Sequence, residues 1–182
     1  MKVIFISGSR NPEGQTASAM SALLKGVEQS GGETASFYLP VMKFERCRQC
    51  ENDGWGICRT EGRCVIQDDF ASTVDEIKGA DAVVFATPVY FGDISESLRA
   101  LLERLRRTCM NDEGRSDIEG KVALGLCVAG GGGGGSYSCA ECLEKILRTC
   151  GFDVFDVTPA RRQNLEMKLP LIEGIGRWIV EK

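Results

Sequence analysis

The run KVIFI at residues 2–6 is short, almost wholly apolar and rich in β-branched residues. That composition suits a strand covered on both faces by other elements. Related runs recur as ETASFYL at 33–39, DAVVFATPVYFG at 81–92, KVALGLCVA at 121–129 and FDVFDV at 152–157. Helical periodicities lie between them. Met20, Leu23, Leu24 and Val27 share one face of a helix that starts at Thr16 and stops at Gly31 and Gly32. Phe70, Val74 and Ile77 mark a second helix, opened by Asp68 and Asp69; Leu98, Leu101, Leu102 and Leu105 mark a third. Leu143, Ile146, Leu147 and Cys150 follow Ser138, which reads as an N-cap boxed by Glu141. Ile172, Ile175, Trp178 and Ile179 place a last helix from about residue 171. Five alternations of strand and helix predict an α/β fold with a parallel sheet covered on both faces. Neither linker nor repeat interrupts the pattern, so residues 1–182 read as one domain. Ligands of such sheets sit beyond the carboxyl ends of the strands.

Composition narrows the chemistry. The chain has no histidine, which removes histidine general bases, histidine metal ligands and Ser–His or Cys–His pairs. A bound cofactor can carry a reaction in their place. A net charge of −4 argues against nonspecific nucleic-acid binding, which needs a basic surface. No run reaches the roughly 20 apolar residues of a membrane span, and MKVIFISGSR is no signal peptide. The expected location is therefore the cytoplasm. Nine cysteines in a reducing compartment point to metal or redox chemistry rather than structural disulfides.

Three strand-end loops carry ligand-like features. SGSRNPEGQTA, between the first strand and first helix, offers Ser9, Asn11, Gln15 and Thr16 as donors and Arg10 as charge. The helix beyond supplies unpaired N–H groups and a positive dipole end, as an anion site needs. The loop matches neither the P-loop nor the G-x-G-x-x-G pattern. A terminal phosphomonoester held without a lysine fits it, provided Glu13 points away. TPVYFGDIS leaves the central strand with Tyr90 and Phe91, rings against which a flat heterocycle can pack. The six glycines at 130–135 leave naked backbone where a planar ligand can approach closely.

Four cysteines, Cys47, Cys50, Cys58 and Cys64, fall in a loop spanning 45–65. Their gaps of two, seven and five residues suit a tetrahedral zinc or a [4Fe–4S] cube, without matching either pattern fully. Without metal they read as partly buried small hydrophobes, or as thiols that pair on oxidation. Trp55 in the same loop reads as a packing residue. CAEC at 139–142 reads as helix packing, with a reactive dithiol as the alternative; Cys109, Cys127 and Cys150 follow apolar periodicities into the core. Arg161 and Arg162 offer forks to a nicotinamide phosphate or to solvent. Arg104, Arg106 and Arg107 read as surface or subunit ion pairs.

GSRNPEGQT at 8–16, TPVYFGDISESLRALLERL at 87–105 and the glycine-rich turn after LCVA resemble the flavodoxin-like NAD(P)H-dependent FMN reductase family. TPARRQN with Lys168 resembles that family's C-terminal region. The resemblance implies a three-layer sandwich with five parallel strands in the order 2-1-3-4-5. It implies that Ser9, Arg10, Asn11, Gln15 and Thr16 surround the phosphate of FMN. Pro88, Val89, Tyr90, Phe91, Gly92 and Asp93 would line the ribityl chain and isoalloxazine, with Gly130, Gly131, Gly132 and Gly133 on the other side. NAD(P)H is the implied hydride donor, and a homodimer or homotetramer the implied assembly. The cysteine loop, running on into GRCVIQDDF, resembles that of the iron–sulfur flavoproteins, which implies a [4Fe–4S] cluster on Cys47, Cys50, Cys58 and Cys64. Those proteins keep three cysteines close together, whereas Cys58 here lies well beyond Cys50. A ferredoxin-like redox partner fits such a centre. The remaining readings are an electron carrier reduced by a protein partner, and a nonenzymatic redox or metal sensor built on the cysteine loop.

Overall fold

The computed structural model describes residues 1–181; Lys182, the last residue of the predicted domain, lies outside the described residues. Five parallel strands form one sheet: β1 (Lys2–Ser7), β2 (Glu33–Tyr38), β3 (Ala82–Pro88), β4 (Val122–Ala129) and β5 (Asp153–Arg161). Their order is β2-β1-β3-β4-β5, as the resemblance implies. The helices are α1 (Gln15–Gln29), α2 (Ile57–Thr60), α3 (Phe70–Gly79), α4 (Glu96–Thr108), α5 (Asp112–Arg115), α6 (Ser136–Cys150) and α7 (Leu165–Glu181).

Strand alternation sorts the core into two layers. Ile4 and Ile6 of β1 and Val83 and Phe85 of β3 face α3, α4 and α6, meeting Ile77, Leu98, Leu101, Leu105, Leu143 and Leu147. Val3, Phe5, Ala82 and Val84 face the other way, onto Met20, Leu23 and Val27 of α1 and Ile172 and Ile179 of α7. Cys109, Cys127 and Cys150 are buried, as their periodicity predicts.

Three local expectations need correction. First, α6 starts at Ser136, two residues before the expected cap, because Gly135 in the left-handed region turns the chain and its carbonyl accepts from Cys139. Second, α7 starts at Leu165 and carries Pro170 inside it, not ahead of it. Proline disfavours a helix interior, but packing against α1 outweighs that preference. Third, β5 runs on to Arg161 and is irregular: Ala123 pairs with Val154 and Leu124 with Asp156, which leaves Phe155 bulged out to stack on Trp178 at 4.2 Å. Among the described residues no helix is long and apolar enough to cross a membrane.

Candidate functional site

The loops after β1, β3 and β4 converge on one cleft of about 630 Å3 at the carboxyl end of the sheet. That volume is typical of small-molecule sites. Ser9, Asn11, Gln15, Thr16, Pro88, Val89, Tyr90, Gly130 and Gly131 line it. Gly14 of the first loop and Gly134 of the glycine run line it too, as do Val128 and Ala129 at the end of β4, which no feature of the sequence singled out. Arg10 is exposed outside this wall.

The first loop is held by its own polar side chains. Ser9 Oγ accepts from Asn11 N at 3.3 Å, and Asn11 Oδ1 accepts from Glu13 N at 3.0 Å. Gly14 precedes α1; no side chain caps that helix, and no acid lies in its first turn. Its N–H groups and positive dipole end therefore face the cleft as an anion site would require.

The second loop is a tight hairpin. Tyr90 and Asp93 exchange backbone hydrogen bonds, and Phe91 and Gly92 between them have φ of 52° and 80°. Positive φ at both central residues matches a type I′ turn. The turn projects Phe91 fully into solvent, beyond the cleft wall. Asp93 turns away as well: its carboxylate is ion-paired with Arg99, whose Nη2 also donates to Cys142 Sγ at 3.4 Å. Burial raises the Asp93 pKa, but the Ile94 amide, Cys142 and Arg99 together hold it below the ordinary carboxylate value. The Cys142 thiol is pushed up, chiefly by burial. Its CAEC partner Cys139 is fully buried in the core, whereas Cys142 is half-buried and accepts from Arg99.

Within the glycine run, Gly133 is buried against Arg161 and Gln163, and Gln163 Nε2 donates to Gly131 O at 3.2 Å. Gly133 is therefore set back from the cleft wall formed by Gly130, Gly131 and Gly134, and Gly132 is exposed outside that wall. The Arg161 guanidinium lies 5.5 Å from the Tyr137 ring centroid, close to this loop. A sequence signal for this brace existed in ARRQN, though Arg161 and Arg162 read there as forks for a nicotinamide phosphate or for solvent. An added Cβ at Gly131, Gly132 or Gly134 would meet nothing within 4 Å, so the run leaves open space for a flat group. The uncapped helix end at one side and this bare backbone at the other fit a singly phosphorylated planar cofactor such as FMN.

A second site lies against α4. Cys47, Cys50, Cys58 and Cys64 all line one cavity of about 20 Å3, together with Arg48, Arg104 and Arg107. Four thiols sharing one cavity beside three guanidiniums form a donor set suited to a metal–thiolate centre. As the side chains stand, no three metal-binding groups among the described residues are placed to hold an ion. The cavity has room for about one water-sized body. A cubane needs the loop to move outward. No residue from 45 to 65 is itself buried, so the loop contributes no position to the core.

The anchors of this loop are arginines that sequence reading placed at the surface. Arg104 and its partner Asp68 have side chains 1% and 0% exposed. Two parallel hydrogen bonds join them, Nη1 to Oδ2 at 2.7 Å and Nη2 to Oδ1 at 2.9 Å. Arg104 Nη1 also donates to Glu45 O at 3.1 Å, and its guanidinium lies 4.2 Å from the Phe70 ring centroid. Asp68 accepts from the amides of Glu45 and Phe70, so it joins the loop to the start of α3. Arg107 donates to Gly54 O at 2.8 Å, and Trp55 packs against Arg59 and Arg107.

Comparison with known proteins agrees with this architecture. Residues 1–160 match the family model described as NADPH-dependent FMN reductase. An iron–sulfur flavoprotein of Methanosarcina thermophila is 30% identical over 157 residues, covering 85% of this chain and 76% of the relative. An iron–sulfur flavoprotein of Methanocaldococcus jannaschii is 35% identical over 131 residues, 72% of this chain. There the match spans 65% of the relative, just under two thirds of its length. Among solved structures, an NAD(P)H:quinone oxidoreductase from Methanothermobacter marburgensis superposes with a TM-score of 0.71 at 21% identity, covering 98% of this chain and 96% of its own. RosB, solved with a formylated riboflavin-phosphate intermediate, superposes with a TM-score of 0.73 at 19% identity, covering 100% of this chain and 77% of its own. At such identities the structures share the fold alone. The sheet order, the three-loop cleft and the family match together place this chain in the NADPH-dependent FMN reductase family, with iron–sulfur flavoproteins among its relatives.

Proposed function

We propose that this chain binds FMN in the three-loop cleft and acts as an oxidoreductase that takes hydride from NAD(P)H. The observation that carries the reading is the convergence of an uncapped helix N-terminus and a bare glycine loop on one cleft. The first suits a phosphate and the second a planar ring. Ser9, Asn11, Gln15 and Thr16 would hold the phosphate end; Pro88, Val89, Tyr90, Gly130 and Gly131 would flank the ring and its chain. Arg10, Phe91, Gly92, Asp93, Gly132 and Gly133 would act from outside the cleft wall, by shaping the loops or by meeting a second copy. FMN supplies hydride acceptance and onward electron transfer when bound; the residues orient it and exclude water. The names of the relatives support a further step, in which Cys47, Cys50, Cys58 and Cys64 hold a [4Fe–4S] cluster that passes electrons on singly, for instance to a ferredoxin-like partner.

Tyr90, Phe91 and Tyr137 are exposed around the cleft, which supports a homodimer or homotetramer closing over it. A solution mass equal to one chain would refute that assembly. The test of function is anaerobic stopped flow on the FMN-loaded protein. NADPH or NADH should bleach the flavin band rapidly. Flavin that binds but stays oxidised with both nucleotides, and is reduced by a protein donor, would mark an electron carrier instead. A chain that takes up no FMN would leave the cysteine-loop sensor as the surviving reading.

A further inference from the structure

The cysteine cavity is lined by three arginines of unequal standing. Arg48 is well exposed and paired with Glu45 across one turn of chain, so solvent screens its charge. Arg104 is buried, and its guanidinium spends both Nη groups on Asp68 and Glu45. Its Nε is buried with no hydrogen-bond partner. Arg107 is largely buried; its Nη1 holds Gly54, while its Nε approaches Glu103 at 3.5 Å without hydrogen-bond geometry and counts as a second unpartnered donor. Buried unpartnered N–H groups are rare and costly. Here two of them belong to neighbouring side chains, one helical turn apart, both lining the cavity that all four thiols share.

We propose that Arg104 and Arg107 are positioning residues of the cysteine site, whose guanidiniums hydrogen-bond and partly neutralise the thiolate sulfurs of a metal centre held by Cys47, Cys50, Cys58 and Cys64. The inference rests on the reading that these cysteines hold an iron–sulfur cluster. A thiolate-bound cluster is anionic, and each electron added makes it more so. Cations and N–H donors beside its sulfurs favour the reduced state, and their removal lowers the reduction potential. The Nε–H groups of Arg104 and Arg107, which make no hydrogen bond, supply what a sulfur accepts. The same side chains fasten the loop at Glu45 and Gly54, so the anchor and the electrostatic partner are one device.

The test uses full-length protein purified anaerobically and loaded with FMN, ferrous iron and sulfide. Iron and sulfide per chain are measured, and the cluster is titrated reductively and followed by electron paramagnetic resonance. Arg107→Gln should shift the reduction equilibrium about tenfold towards the oxidised cluster, about 59 mV for a one-electron couple. Arg107→Lys should restore most of that shift by restoring the charge. The flavin potential in the same samples should stay fixed. Arg104→Lys should also lower the cluster potential, since charge remains while the fork and its Nε donor are lost; the Arg107 pair keeps the test decisive if that variant folds poorly. An unchanged cluster potential in Arg107→Gln overturns the proposal while leaving the cluster reading intact. Loss of iron with an unchanged potential in the remainder would make the arginines loop anchors alone, and also overturns it. Wild-type protein that takes up no cluster while binding FMN sinks the cluster reading and the proposal with it.

Discussion

Asp68 shows how a single side chain can decide whether two parts of the chain stay together. It accepts hydrogen bonds from Arg104 on α4, from Glu45 in the cysteine loop and from Phe70 on α3. Replacing a buried ion pair with apolar residues is often neutral, but removing one partner strands the other charge. Asp68→Ala should therefore cost about 3–5 kcal/mol in denaturant unfolding, whereas Glu141→Ala, which breaks an exposed ion pair screened by solvent, should change stability far less. Burial raises the Asp68 pKa, but Arg104 and the two amides outweigh it and hold it below the ordinary value. The stabilisation this gives is complete above the unfolded carboxylate pKa of about 3.9. It is lost as pH falls from there through the lower folded value. The Asp68→Ala protein should show a smaller loss of stability between about pH 4 and pH 2 than wild type; equal acid slopes would contradict this. Sequence reading put Asp68 at a helix start and Arg104 at the surface. A signal was present, since Arg104 flanks the stripe formed by Leu98, Leu101 and Leu105. The acid that answers it lies 36 residues away, and no local pattern joins the two.

At the scale of elements, strong periodicities were legible and their ends were not. KVIFI, DAVVFATPV and KVALGLCVA became β1, β3 and β4 because an apolar run of that length has nowhere to go except a doubly covered sheet. The early start of α7 was hidden because Pro170 reads as a boundary and its true context is tertiary. A Cβ on Gly176 would come within 2.1 Å of Leu23 O, and one on Gly26 within 2.1 Å of Glu173 O, so α1 and α7 meet backbone to backbone. Gly176→Ala should destabilise the fold by about 1–3 kcal/mol, as overpacking does, while FMN affinity in the folded fraction stays near wild type. Gly135→Ala should do the opposite. Gly135 has φ of 79°, and its added Cβ would lie 2.6 Å from Gly92 Cα, where the second and third loops touch. Pushing those loops apart should weaken FMN binding about tenfold or more, roughly 1.4 kcal/mol, with a smaller effect on unfolding. Flavin fluorescence titration beside thermal melts separates the two; a Gly135→Ala protein with wild-type FMN affinity would show that the loop contact does not shape the site.

Over the whole molecule, burial divides the chain into a packed sandwich and an annexed loop. Residues that build the cleft hang directly from β1, β3 and β4, whose cores are fully buried. Residues 45–65 contribute no buried position and are tethered through Arg104, Arg107 and Asp68. The sequence made both parts visible, because strand-end loops and clustered cysteines are local features. It did not show that α4 serves both, presenting Ser95 and Ser97 to the cleft side of the sheet and its arginines to the cysteines. This division predicts that the flavin site survives loss of the cysteine site. A binding free energy acts as folding free energy, so FMN at 100 times its dissociation constant should add about 2.7 kcal/mol. For a chain of this size each kcal/mol raises the melting temperature by about 2–4 °C, giving a rise of about 5–11 °C. Serine at Cys47, Cys50, Cys58 and Cys64 together should abolish metal binding yet leave that FMN-dependent rise in place. The comparison belongs in metal-free samples, since metal bound to the wild type would add its own stabilisation. If the four-serine protein melts without responding to FMN, the loop is part of the flavin site, and the two sites cannot be treated as separately built.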